Sequence, residues 1–121
     1  MLTERRKNER HNNGVYMRVT DHDTEEIIGY LTEISLGGFR LESPKNLTVD
    51  KDYTLRLEYA IEEKDKRYIV FVARAKWSQP DPITPYEYIL GFQIVSMAPS
   101  EQEIYQSIVE NYGQSKPQWK K

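Results

Sequence analysis

Cysteine is absent from the 121-residue chain, which excludes disulfides, thiolate metal sites and cysteine nucleophiles. Histidine is scarce. His11 and His22 are the only two, both lie in polar segments, and isolated surface histidines are the expected reading rather than a catalytic pair or metal ligands. No nucleophile elbow, Walker loop or dinucleotide fingerprint occurs. Carboxylates crowd into "DHDTEE" (21–26) and "IEEKDK" (61–66), but both stretches have the composition of solvated hairpin connections. The chain is therefore expected not to be an enzyme, and to hold neither metal nor cofactor.

Long apolar runs are missing as well. No segment approaches the length of a membrane span. The start, "MLTERRKNER", carries charges with no apolar stretch behind them and so is not a signal peptide. The expectation is a soluble, cytoplasmic protein without membrane insertion. Strong positive charge is lacking too: the net charge is −2 and the pI about 5.7, which counts against a general nucleic-acid binder.

What the chain does have is tyrosine, nine residues of it, a type that sits well on half-buried sheet faces. At 38% hydrophobic composition the length suits one domain with a modest core. "VYMRV" (15–19) alternates as a strand does. "IIGYLTEIS" (27–35) is a second strand, in which Gly29 predicts a bulge or bend. "LGG" (36–38) is expected to turn on positive-φ glycines, into a short strand "FRLE" (39–42). In "YTLRLEY" (53–59), Tyr53, Leu55, Leu57 and Tyr59 face one way and Thr54, Arg56 and Glu58 the other.

"YIVFVARAKW" (68–77) reads as a long strand leaving the centre of a sheet for its edge. "SQPDPITP" (78–85) holds three prolines and is expected to be a loop. "YILGFQIV" (88–95) is the last strand. Thereafter Ile104, Ile108, Val109 and Tyr112 fall at helical spacing. Ser100 and Glu103 are placed for a capping box, and Gly113 for a helix stop. Six strands and a terminal helix point to a small, closed or nearly closed antiparallel barrel. The expected organisation is a flexible arginine-bearing segment at 1–14, the barrel and helix at 15–113, and a tail at 114–121, whose Trp119 is free to dock.

Two stretches carry chemistry. In "RRKNERH" (5–11), Arg6 and Arg10 offer planar forks of donors that match phosphate oxygens or the O6 and N7 acceptors of guanine. A solvated charged tail has the same composition. In "EISLGG" (33–38), Glu33 offers an acceptor, Ser35 a hydroxyl, and Gly38 room for a ligand to approach the backbone. An ordinary glycine turn has the same pattern.

An arginine pair before the first strand, followed by an acidic-x-Ser-x-x-Gly turn after the second, resembles the PilZ domain family. The similarity runs from about Arg5 to Gly113, and "VARAKW" and "ILGFQIV" look like the family's late strands. The resemblance implies a six-stranded antiparallel barrel with a C-terminal helix that binds the bacterial second messenger cyclic di-GMP and signals to a partner protein through its exposed surface. It implies that Arg6 and Arg10 are the principal ligand contacts, with Arg5 auxiliary at phosphate and Ser35 and Gly38 opposite them. Glu33 stands where the family has Asp or Asn. It keeps the acceptor but is one methylene longer, so it either bends to reach the base, crowds it, or pairs internally with Arg6 or Arg10. The alternative is a PilZ-like adaptor that binds no nucleotide and works by protein contacts, for example with motility or pilus machinery.

Overall fold

The computed structural model describes residues 17–60 and 66–113. The terminal segments 1–14 and 114–121, with His11 and Trp119, therefore lie outside the described residues, as do Val15 and Tyr16 of the expected first strand. The elements run β1 (Arg18–Asp21), β2 (Ile27–Ile34), β3 (Gly38–Ser43), β4 (Lys51–Ala60), β5 (Lys66–Pro80) and β6 (Tyr88–Ser96). Helix α1 (Pro99–Ile108) follows and ends in a π-helical turn (Val109–Gly113). Every strand pairing is antiparallel, and the order β1-β2-β3-β6-β5-β4 closes on itself into a barrel. No helix among the described residues is long and apolar enough to cross a membrane.

Period-two alternation makes the barrel wall. Leu55 and Leu57 of β4 are buried and Thr54 and Arg56 less so, and the pairing of Leu55 with Phe71 and Leu57 with Ile69 continues the inward set onto β5. Val19, Leu41, Leu90 and Ala73 complete the interior. Phe39 and Phe92, paired in register, stack at 5.2 Å between centroids. Burial of this continuous apolar set is the main force holding the strands closed.

β5 serves two neighbours in turn. Its first part pairs with β4 as far as Ala75, and its second part pairs with β6 from Val72 to Pro80. The strand thus passes from two neighbours to one, the passage from the centre of a sheet to its edge that its pattern implies. Residues 78–80, expected as loop, belong to this strand. Beyond Ala75 it has only β6 beside it, so a proline that lacks an N–H interrupts no second ladder.

The 21–26 connection is a hairpin loop, as its composition implies. The Asp21 carboxylate accepts the amides of Asp23 and Thr24 at 2.8 and 3.0 Å, an Asx turn. His22 at its start accepts a hydrogen bond at Nδ1 from Arg56 Nε, 3.1 Å away, so it has a structural partner of its own. The expected bulge near Gly29 is present. Register slips by one where β1 passes from Val19 to Thr20, opposite Gly29 and Ile27. A β-carbon on Gly29 would stand 2.6 Å from the Glu42 carbonyl oxygen.

The capping box does not form. Helix α1 begins at Pro99 with Ala98 as its cap residue and no side-chain cap, and Ser100 Oγ instead donates to Glu101 at 2.8 Å. Proline as the first helical residue needs no partner for an N–H it lacks. The helix lays Tyr105, and the π-helical turn lays Tyr112, into the barrel core, each about nineteen-twentieths buried. Ile104, Ile108 and Val109, the spacing that predicts the helix, pack against the same core from its margin.

Candidate functional site

The 33–38 stretch lies where β2 ends and β3 begins, and the structure brings Glu33, Ser35 and Gly38 together there. The turn is tight. Ser35 N–H donates to Gly38 O at 2.8 Å, Gly38 N–H donates back to Ser35 O at 3.4 Å, and the Ser35 hydroxyl also donates to Gly38 O at 3.3 Å. Ile94 of β6 donates to Gly37 O at 2.9 Å. Three carbonyls of the turn are thus held from within the protein.

The glycines do not serve the expected purpose. Neither Gly37 nor Gly38 takes a positive φ. Among the described non-glycine residues, positive φ falls at Glu25, Asp50 and Tyr86. Gly38 is required by the neighbouring strand, since a β-carbon there would overlap the carbonyl group of Phe92. Gly37, by contrast, has nothing within 4 Å of where its β-carbon would stand. Of the two, Gly37 has the open approach, and Gly38 is buttressed against β6.

Among the described residues, Glu33 is paired internally with Arg40. Arg40, its in-register partner on β3, brings Nη1 to 3.5 Å from Glu33 Oε1. Arg40 also lies over the Trp77 ring, 5.5 Å from its centroid. The register explains this arrangement: Glu33 faces Arg40, Arg40 faces Gly91, and Gly91 faces Trp77. The four residues form one row across β2, β3, β6 and β5. Gly91 makes room for the aromatic, because a β-carbon at that position would run into the Trp77 indole. Trp77 is 36% exposed, so the row presents a carboxylate, a guanidinium and an aromatic surface side by side.

Arg5, Arg6 and Arg10 lie outside the described residues. Arg40 and Trp77 are site candidates that the motif alone did not single out. Their signal is the alternation on β3, where Arg40 stands between inward Phe39 and Leu41, and a glycine in β6 opposite a tryptophan in β5.

A further member of the neighbourhood is Tyr105 of α1. Its hydroxyl donates to Ser35 O at 2.6 Å and shares the proton with Gly38 O at 3.1 Å. The residue is 3% exposed, and burial raises its phenol well above the ordinary tyrosine range. It therefore stays a donor. Beside it, α1, the end of β6 and residues Leu36 and Gly37 of the turn border an open cleft of about 400 Å³.

Elsewhere the carboxylates of Glu42, Asp81 and Glu87 converge within 4.8 Å. Asp81 already accepts the amides of Ile83 and Thr84 at 2.9 and 3.3 Å, which accounts for its place in the 81–87 loop.

The PilZ domain model matches residues 4–111. The fold is shared with the cyclic di-GMP-bound PilZ domain of YcgR from Escherichia coli, at TM-score 0.58 and 15% identity over 88% of each chain. It is shared also with the inhibitor of motility MotI/DgrA of Bacillus subtilis, at TM-score 0.58 and 18% identity over 84% of this chain and 48% of that one. A search of curated proteins gives no match. With a family match over nearly its whole length and the six-stranded barrel to accompany it, the chain belongs to the PilZ domain family.

Proposed function

We propose that the protein is a cyclic di-GMP receptor and that the ligand lies on the outer barrel face beside the 35–38 turn. The observation that carries this reading is the row of Glu33, Arg40, Gly91 and Trp77. A guanine presents N–H donors on one edge, O6 and N7 acceptors on another, and a flat π face. The row offers an acceptor, a bidentate donor and an aromatic surface to match.

Arg6 and Arg10 supply the rest, contacting phosphates and guanine edges, with Arg5 auxiliary at phosphate and Ser35 and Gly38 at the turn. Chain direction supports their access. Met17 O accepts from Leu31 N–H at 3.2 Å, so β1 begins beside the part of β2 that leads to Glu33. Arg10 precedes Met17 by seven residues, a reach of up to roughly 23 Å when extended. The messenger is intracellular, which makes the cytoplasm the working compartment. The output is a changed surface read by a partner protein.

One observation favours the adaptor reading instead: the Glu33 carboxylate is already engaged by Arg40. That pair is half-exposed, and such pairs contribute only about 0.2–1 kcal/mol. A ligand bringing its own donors and acceptors therefore displaces it at little cost. Calorimetric titration of the full chain with cyclic di-GMP separates the two readings. The receptor gives saturable heat that disappears in the Arg6→Ala, Arg10→Ala double variant. A silent wild type at high micromolar ligand, or a double variant that binds as before, overturns it.

A further inference from the structure

Tyr105 links helix α1 to the ligand face by hydrogen bonds. The Tyr105 hydroxyl reaches the two carbonyls that close the 35–38 turn, at 2.6 and 3.1 Å. Those two residues, Ser35 and Gly38, are hydrogen-bonded to each other through their own amides. One proton thus pins both ends of the turn from the side away from Glu33 and Arg40. The tyrosine ring is fixed in its own right, buried and edge-on to Phe71 at 6.4 Å. The hydroxyl therefore has little freedom to follow the turn if the turn moves.

We propose that Tyr105 is the positioning residue of the ligand site. It sets the geometry of the 35–38 turn and transmits the turn's occupancy to helix α1. The inference rests on the cyclic di-GMP reading above and adds to it the route by which binding reaches a surface remote from the ligand. A turn held by carbonyl acceptors keeps Glu33 and Ser35 in one relative placement. A turn released from Tyr105 retains its internal bonds and the Ile94 N–H on Gly37 O but loses its tie to helix α1. Because burial keeps the phenol protonated, the donor is present throughout the neutral range. The cleft beside α1, part of whose wall is Leu36 and Gly37, changes shape whenever the turn and the helix move relative to each other.

Tyr105→Phe deletes the donor and keeps the ring. Titrated with cyclic di-GMP well below its melting temperature, the variant is expected to bind about tenfold more weakly, the loss of one well-made hydrogen bond. Amide exchange at Ser35 and Gly38 is expected to quicken, while exchange of Ile94, bonded to Gly37, changes little. A residue that merely stabilises the fold lowers the melting temperature and leaves affinity and turn exchange alone, and that outcome overturns the proposal. The wild type supplies a second readout if the variant folds poorly. Saturating cyclic di-GMP must shift the amide resonances of Gln102, Tyr105 and Gln106 on α1, and an unmoved helix refutes the coupling. A wild type that gives no heat refutes the receptor reading itself. A wild type that binds beside an equally tight Tyr105→Phe refutes only this inference.

Discussion

Adjacent glycines in one turn are predicted to respond oppositely to the same substitution. In Gly38→Ala the new methyl meets backbone: it overlaps the Phe92 carbonyl oxygen and stands 3.1 Å from its carbon and 3.2 Å from Gln93 Cα. No rotamer relieves such a contact, so β3 and β6 must part at the Gly38 and Gln93 pair. Overpacking of this kind costs about 1–3 kcal/mol. Disturbing the adjacent stack of Phe39 on Phe92 adds about 0.5–1.5 kcal/mol. The sum, about 1.5–4.5 kcal/mol, lowers the melting temperature of a domain this size by roughly 6–18 °C. Gly37→Ala meets nothing within 4 Å and needs no positive φ. Its expected effect lies within about 1 kcal/mol, on the stabilising side, because alanine restricts the unfolded chain. Thermal melts of the two variants, followed by circular dichroism, decide the matter. Equal losses, or a Gly38→Ala protein as stable as wild type, would refute the close approach of the strands. The comparison also bears on function: impaired ligand binding in Gly38→Ala would report a damaged barrel, whereas in Gly37→Ala it would report a ligand in the open space beside the turn.

Gly91→Ala should lift the Trp77 indole out of the row and away from Arg40. In a Trp119→Phe background, Trp77 emission shifts to the red and ligand affinity falls; unchanged emission contradicts the contact. Glu33→Asp shortens the side chain that meets Arg40 at 3.5 Å and leaves its carboxylate free for the base. Since the exposed pair is worth about 0.2–1 kcal/mol, affinity should rise by up to roughly fivefold, and a tenfold loss on calorimetry would count against the account. Burial raises the Tyr105 phenol above its unfolded value. Its stabilising contribution is therefore complete below about pH 10, and is lost as pH climbs from there through the folded value. Melting temperatures of wild type and Tyr105→Phe should converge above pH 10, and curves that stay parallel to pH 12 would refute the assignment.

The barrel was legible from the chain wherever one face is dry. The alternation of β4, the inward set on β5, the bulge near Gly29 and the terminal helix all follow from local pattern, because burial imposes a period that the residues display. Failures came where a distant neighbour decides. Three prolines argue for a loop at 78–85, yet Pro80 ends a strand because no second strand lies beside it to miss its N–H. The Ser100 hydroxyl turned to Glu101 rather than to the helix amides. The glycine turn suggested positive φ or room for a ligand, whereas Gly38 is glycine because Phe92 lies against it. The partner of Glu33 depended on strand register, which places Arg40 beside it and which composition does not reveal. Tyr105 was the least visible, since a buried tyrosine in a helix looks like core until its hydroxyl is seen to hold a turn about 70 residues earlier in the chain.

A backbone and indole ¹H–¹⁵N map of the protein titrated with cyclic di-GMP shows whether the ligand lies on the row from Glu33 to Trp77. Saturable shifts are expected on the amides of residues 35–38, on Arg40 and on the Trp77 indole N–H, with the 81–87 loop at the opposite end of β3 and β6 unmoved. An unchanged spectrum, or shifts centred on that loop instead of the row from Glu33 to Trp77, would contradict this placement.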